Sequence, residues 1–332
     1  MSKFNKRKSV SFAVIFIFAL IVAFSGCGKS VNNALDGAEV LDTGFSVHYL
    51  DVGQGDCIFI KFTDGKTALI DCGAQSKRNQ EYIVDYLNSY SVDKIDYFIL
   101  THPDNDHVGN AKAIIDNFDI GKAFVPFVMN LNLFPVYGVS FNALIKKEVS
   151  LDYSDMGDGF SGEDYFMAFL SPLPKELADS SYSILNGATA PNDTAVNNVS
   201  PIIYLESNGY RFVFTGDAGA TQEDLVVENY SSGYYNILFE NKNKINLDKV
   251  DFLKVSHHGS RDATGAEFLS VLKPKNAVVS VGGNNFYGHP ATETLLRLKT
   301  ANENYNLYRT DVKGSIVAYL DDGVLKTITD AD

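Results

Sequence analysis

From Phe45 onward, apolar and polar positions alternate in short runs separated by glycine-bearing turns, the pattern of half-buried strands. Phe45–Asp51 (FSVHYLD) and Cys57–Phe62 (CIFIKF) flank the turn Val52-Gly53-Gln54-Gly55-Asp56, and Lys66–Asp71 (KTALID) follows the hairpin signal Asp64-Gly65. Tyr82, Ile83, Tyr86, Leu87 and Tyr90 then recur at helical spacing over Asn79–Tyr90. The strand Lys94–Leu100 (KIDYFIL) feeds a polar stretch, Thr101–Gly109, after which a helix is expected to about Phe118. Further on, Pro201–Glu206 and Arg211–Thr215 read as a hairpin about Asn208-Gly209. Val250–Ser256 and Asn276–Val281 are further strands, Ala291–Leu298 a helix, and Ser315–Leu320 with Val324–Thr329 a closing hairpin. Strands interleaved with helices in this order predict layered α/β packing rather than a helix bundle. Val125–Asn198 interrupts the pattern with aromatic runs, an acidic glycine-bearing stretch and a long polar loop. An insertion is expected around 127–192.

The first 26 residues differ in kind. Lys3, Lys6, Arg7 and Lys8 precede the apolar run Phe12–Phe24, which is shorter than the ~20 residues of a comfortable membrane span. Ser25-Gly26 then place small residues before Cys27, as in a bacterial lipoprotein signal whose cysteine is lipidated and becomes the first mature residue. Residues 27–42, small and polar, read as a tether to a folded domain over 43–330. The expectation is an extracytoplasmic chain held to the cell membrane by a lipid, with no protein partner indicated.

Charge narrows the functional classes. The formal net charge is −13, and removing residues 1–26, with four basic and no acidic side chains, takes it to −17. Such a chain does not offer the clustered Lys and Arg with which proteins track a long polyanion. Cys57 and Cys72, on apparently neighbouring strands, are expected to be buried free thiols, because a cross-strand disulfide demands restrictive geometry.

The candidate chemistry begins at Thr101–Gly109 (THPDNDHVG), where His102, Asp104, Asp106 and His107 fall within six residues at the end of a strand. A loop in which one aspartate merely caps the next helix would not need four ligand-type side chains. Of the six histidines, His102, His107, His257, His258 and His289 follow strands or lie in glycine-bearing loops; His48 lies inside a strand and reads as structural. Imidazoles and carboxylates without thiolate, on loops at strand ends, suit Zn²⁺, Mn²⁺ or Fe²⁺ in a hydrolytic site.

THPDNDHVG is similar to the HxHxDH signature of the metallo-β-lactamase superfamily, with Asp104 in place of the middle histidine. Thr215-Gly216-Asp217 resembles that fold's bridging-aspartate motif, and VSHHGS its last histidine motif. Together with HYLDVGQGD, LIDCG, YGHP and YRTDVKGSI, these resemble the extracellular hydrolase domain of ComEC-type competence proteins, from about Phe45 to Leu320. The multi-span channel region of those proteins has no counterpart here, so DNA uptake is not implied.

The resemblance implies a four-layer αββα sandwich and two divalent ions, Zn²⁺ or Mn²⁺, sharing Asp217. One ion would use His102, Asp104 and Asp217, and the other Asp106, His107, Asp217 and His257. Asn197 and Asn198 stand near the place of the family's third histidine, which implies a looser first site. Asp106 would accept a hydrogen bond from a metal-activated hydroxide, and His289 would contact phosphate or protonate a leaving oxygen. His258 would lie behind the ligands or touch substrate. Ser260, Asn198 and Arg309 are further anion-contact candidates, with solvent exposure the plainer expectation for Ser260 and Arg309. Asp56 and Asp71 would orient ligand histidines. The implied activity is phosphodiester hydrolysis, most specifically of DNA. The alternatives are an envelope phosphodiesterase acting on teichoic-acid-like or phosphocholine substrates, and a non-catalytic surface binding lipoprotein on a hydrolase scaffold.

Overall fold

Short runs of alternating side chains pair into two sheets that lie face to face. The computed structural model describes residues 44–128, 130–174, 193–240 and 244–332; the expected signal, tether and Cys27 fall outside them, as does 175–192 of the expected insertion. The first sheet runs from edge to edge as Val324–Thr329, Ile316–Asp321, Ser46–Tyr49, Ile58–Lys61, Thr67–Ile70, Lys94–Ile99, Asp119–Val125 and Ser150–Tyr153. The second runs as Asn306–Arg309, Asn276–Val279, Phe252–Lys254, Tyr210–Phe214, Ile203–Ser207, Tyr165–Phe169 and Gly159–Ser161.

Alternation gives each strand two faces, and three apolar clusters result. Val47, Tyr49, Ile58, Ile60, Ile70, Phe169, Phe212, Phe214, Phe252 and Ile316 fill the space between the sheets. Phe59, Leu69 and Phe98 point the other way and meet Ile83, Leu87, Ile114 and Ile115 of the covering helices. On the far side, Val213, Leu253 and Val279 pack against Val226, Phe268, Leu269 and Leu298. The layers are therefore helix, sheet, sheet, helix, as in the expected sandwich.

The middle of the chain is woven into this frame. Pro135–Lys146 is a helix, Ser150–Tyr153 forms one edge of the first sheet, and Gly159–Ser161 with Tyr165–Phe169 begins the second. Residues 135–169, expected to belong to an insertion, thus supply edge strands and core side chains such as Tyr137, Leu144, Met167 and Phe169. The helix expected through Phe118 is two pieces, Asn105–Val108 and Ala111–Asn117. At the break, the Asn110 amide donates to the carbonyls of Cys72 (2.8 Å) and Ala74 (2.9 Å), tying it to the preceding loop. Cys57 and Cys72 are buried free thiols. Among the described residues no helix is long and apolar enough to cross a membrane.

Strand direction positions the site. Thr67–Ile70, Lys94–Ile99 and Asp119–Val125 are mutually parallel, as are Tyr210–Phe214, Phe252–Lys254, Asn276–Val279 and Asn306–Arg309. Each parallel set delivers its carboxyl ends to one edge, where loops commonly carry the chemistry of α/β folds. Asp71, His102, Asp217, His257 and His289 all follow such ends.

Candidate metal centre

Four imidazoles converge on Asp217, and its two carboxylate oxygens divide them. Oδ1 lies 3.2 Å from His107 Nε2 and 3.5 Å from His258 Nε2. Oδ2 lies 3.9 Å from His102 Nε2 and 3.6 Å from His257 Nε2. Asp104 Oδ2 is 3.6 Å from His102 Nε2, and Asp106 Oδ2 is 3.3 Å from His258 Nε2. Asp104 occupies the position before the helix Asn105–Val108, yet its side chain makes no capping hydrogen bond, which leaves the carboxylate free.

The histidines are oriented from behind. Thr101 Oγ1 donates to Asp71 Oδ2 (2.6 Å), so it accepts from Nδ1 of His102 at 3.1 Å. His107 Nδ1 donates to Asp71 Oδ2 at 2.8 Å, and His258 Nδ1 to the Ser280 carbonyl at 2.8 Å. In each of these three rings the outward nitrogen is taken up by a partner, which leaves the inward Nε2 as the atom a metal would claim. Asp71 Oδ2 thus accepts from both Thr101 and His107. The Asn197 amide lies 3.4 Å from Nδ1 of His257, at the place where the family's third histidine was expected.

These residues fit divalent cations. His102 Nε2, Asp217 Oδ1 and Asn197 Oδ1 are buried with no hydrogen-bond partner, and a buried polar atom without a partner is costly. Candidate ligand atoms of His102, His107 and Asp217, and again of Asp106, His107 and His258, lie within 4.8 Å of one another. Burial pushes the Asp106 and Asp217 carboxyls up, but the neighbouring imidazoles, His258 first, more than reverse this and hold both well below the usual range. Burial likewise lowers His107 and His258, and the facing carboxylates, led by Asp217, raise both above the ordinary value. A cluster so rich in acids calls for positive charge, which ions would supply in place of protons.

Both members of the histidine pair, rather than His257 alone, face the carboxylate of Asp217. His258, expected behind the ligands or at the substrate, is buried beside Asp106 and His107, while the His257 side chain is 32 % exposed on the His102 side. Both residues adopt left-handed backbone angles (φ 48° and 53°), so distance from the strand no longer predicts which side chain faces inward. Gly259 follows at φ +84°, where a Cβ would stand 2.6 Å from Pro290.

Other expected residues separate. The His289 ring lies 5.5 Å from that of His257, and its Nδ1 is buried without a partner. Burial, with His257 and His258 nearby, lowers His289 to about 4, so near neutral pH it is a neutral hydrogen-bonding group rather than a proton donor of imidazolium type. Arg309 commits its guanidinium to Asp311 through two bonds (2.9 and 2.6 Å), which corrects its assignment as an anion contact. Ser260 is neither exposed nor an anion contact: it is buried, its Oγ serves the turn to Asp262, and its carbonyl accepts from Thr294. Asn198 faces Gly219 and Gln222 behind the Asp217 loop.

Three supporting residues escaped sequence reasoning. Lys254 is fully buried, with Nζ 2.5 Å from Asp56 Oδ2 and donating to the Gly216 carbonyl at 3.2 Å. Asp56 in turn presents Oδ1 at 3.6 Å from His258 Nδ1. Glu223 accepts from the Thr264 and Gly265 amides (2.6 and 2.7 Å), and Arg297 donates to the carbonyls of Arg261, Ala263 and Thr264. These clamp the loop that follows His258. Burial pushes the Glu223 carboxyl up to about 7 despite the two amides. The available signal for Lys254 was a lone lysine in an otherwise apolar strand, which ordinarily reads as a solvated position.

The chain is similar to several known proteins. Residues 50–130 match the family model described as the metallo-beta-lactamase superfamily. "ComE operon protein 3" of Bacillus subtilis is 28 % identical over 287 residues, covering 81 % of this chain and 32 % of that protein. "Recombination protein 2" of Haemophilus influenzae is 25 % identical over 309 residues, covering 90 % of this chain and 31 % of that protein. The chain thus spans about a third of the length of these relatives. Among solved structures, Igni18, described as a novel metallo hydrolase from the archaeon Ignicoccus hospitalis, superposes with a TM-score of 0.47 at 14 % identity, covering 83 % of this chain and all of that one.

Proposed function

We propose that this chain, a member of the metallo-β-lactamase superfamily with the hydrolase fold of that group, is a metal-dependent phosphodiesterase whose substrate is a nucleic acid strand. The observation that carries the reading is the division of four inward Nε2 atoms between the two oxygens of Asp217. In this reading one ion is held by His102, Asp104, Asp217 and His257, and the other by Asp106, His107, His258 and Asp217. The donor set, imidazole and carboxylate without thiolate, suits Zn²⁺ or Mn²⁺. Bound ions would make water nucleophilic near neutral pH and stabilise negative charge on a phosphoryl oxygen.

The remaining work falls to the chain itself. Asp71 and Thr101 fix His107 and His102, and the Ser280 carbonyl fixes His258, so the Nε2 atoms stay aimed inward. Asp106, kept ionised by His258, can accept a hydrogen bond from the attacking water and orient it. His289, neutral near pH 7, would serve as a hydrogen-bonding group to a phosphate oxygen. Likeness to competence proteins favours DNA within the nucleic acids.

The net charge of −13 supports a second reading, an envelope phosphodiesterase for small teichoic-acid-like or phosphocholine substrates, because such ligands need no basic track. The basic start, apolar run and Cys27 support an extracytoplasmic, lipid-anchored location for either enzyme. Hydrolysis of bis-p-nitrophenyl phosphate with added Mn²⁺ or Zn²⁺ tests the shared chemistry. We expect turnover that Asp217→Ala abolishes; undiminished turnover in that variant would refute a shared carboxylate. Parallel incubation with DNA and with envelope phosphodiesters separates the two substrates.

A further inference from the structure

The loop Gly282–Pro290 brings an unusual surface to the rim of the site. Phe286 is fully exposed and its neighbour Tyr287 is 71 % exposed. Their display is built into the loop. The Asn285 amide donates to the carbonyls of Gly282 (3.0 Å) and His289 (2.8 Å) and accepts from the His289 amide (3.0 Å), closing the loop beneath them. The Tyr287 ring lies 5.6 Å from that of His289, nearly parallel to it at 23°, and the His289 ring lies 5.5 Å from that of His257. A run of rings therefore leads from the candidate metal centre to the surface.

Beside this lip is a cleft of about 440 Å³, a size that holds a small ligand. Phe286, Tyr287, Asn284 and Arg78 line it together with the carboxylates of Asp51 and Asp311. The two carboxylates disfavour a phosphate there. They tolerate a flat, uncharged group, with Asp311 held by Arg309 and Asp51 accepting from the Gly53 amide. Aromatic faces stack on bases irrespective of sequence, each stacked base contributing about 1–3 kcal/mol.

We propose that Phe286 and Tyr287 form a stacking lip that receives an unpaired nucleobase next to the phosphodiester held at the metal centre. The proposal rests on the phosphodiesterase reading above and makes the substrate single-stranded nucleic acid. A base inside a duplex is already stacked and does not reach the lip without being unpaired, so duplex DNA is the poorer ligand.

The test uses a single-stranded oligonucleotide carrying 2-aminopurine, its copy with abasic sites, and the matching duplex, each with Mn²⁺-loaded protein. The protein contains no tryptophan to obscure the probe's emission. Stacking quenches 2-aminopurine, so the expected result is quenching on binding and roughly tenfold weaker binding of the abasic strand. In Phe286→Ala/Tyr287→Ala the quenching is lost and the base-containing and abasic strands bind alike. Equal quenching in wild type and variant, or no preference for bases in wild type, overturns the lip. Loss of phosphatidylglycerol-vesicle binding in the variant, with no quenching in wild type, would overturn it in favour of a membrane contact. Cleavage of strands without base preference leaves the phosphodiesterase reading standing. Wild-type protein that cleaves neither strands nor bis-p-nitrophenyl phosphate defeats that reading, while quenching, which needs no turnover, still decides the lip.

Discussion

Exchanging Lys254 for methionine keeps most of the stem but deletes the ammonium that joins three loops beneath the site. Its Nζ lies 2.5 Å from Asp56 Oδ2 and 3.2 Å from the Gly216 carbonyl, one residue before Asp217, and both Lys254 and Asp56 are buried. At an effective dielectric of about 20, a pair 2.5 Å apart attracts by about 7 kcal/mol, before the cost of removing both ions from water. That cost offsets most of the attraction, so the intact pair adds little net stability. Removing one partner is different: Asp56 is left buried and uncompensated, at about 3–5 kcal/mol. Against a total of about 5–15 kcal/mol, Lys254→Met should lower the urea midpoint severely. Removing the second charge as well, in Lys254→Met/Asp56→Asn, should recover most of the loss. The double variant should still bind metal about 10–100-fold more weakly, because His258 loses its carboxylate neighbour. Urea unfolding followed by circular dichroism measures the first effect, and competition with a chromophoric chelator the second. A single variant as stable as wild type, or a double variant no more stable than the single, would refute the reasoning.

Two further predictions concern the scaffold. His48 is buried between Tyr86 Oη (2.9 Å) and Ser46 Oγ (2.7 Å), and burial, with Lys61 nearby, lowers its imidazole to about 3. Between pH 6.5 and about 3 the unfolded chain therefore binds one proton more than the folded chain, so stability rises with pH across that window. As pH falls through it, this group alone removes about 1.4 kcal/mol per pH unit, and urea melts of His48→Gln between pH 6 and 4.5 should show a correspondingly shallower decline. Equal slopes in the two proteins would show that His48 titrates freely. Gly55 has φ +133°, and a Cβ there would stand 2.2 Å from the Asp106 carbonyl oxygen. Gly55→Ala should cost about 1–3 kcal/mol by displacing the Asp106 turn and should weaken metal binding with it; unchanged stability and metal content would show that the turn yields.

What was legible in the chain follows from where its signals are local. Apolar runs such as Lys66–Asp71 and Lys94–Leu100 are bounded by turn residues and lead directly to Asp71 and His102, so both the layers and the loops at their ends could be anticipated. Edge strands gave less: Gly159–Ser161 has three residues and Ser150–Tyr153 is half exposed, too short and too mixed to stand out from a loop. At His257 and His258 the alternation rule failed because the backbone turns left-handed. Lys254 was invisible because its meaning depends on Asp56, far away in sequence and adjacent in space. Arg309 offered a plausible anion contact until the bond to Asp311, two residues on, was seen to occupy it.

In the proposed centre Asp217 would be shared by two ions, each completed by two imidazoles and one first-motif carboxylate. Elemental analysis of protein equilibrated with Mn²⁺ and then desalted, with electron paramagnetic resonance on the same samples, tests it most directly. Two ions per chain with a spin-coupled signal are expected, falling to one or fewer, without coupling, in Asp217→Ala. Wild-type protein that retains no ion, or an Asp217→Ala variant that still holds a coupled pair, would contradict it.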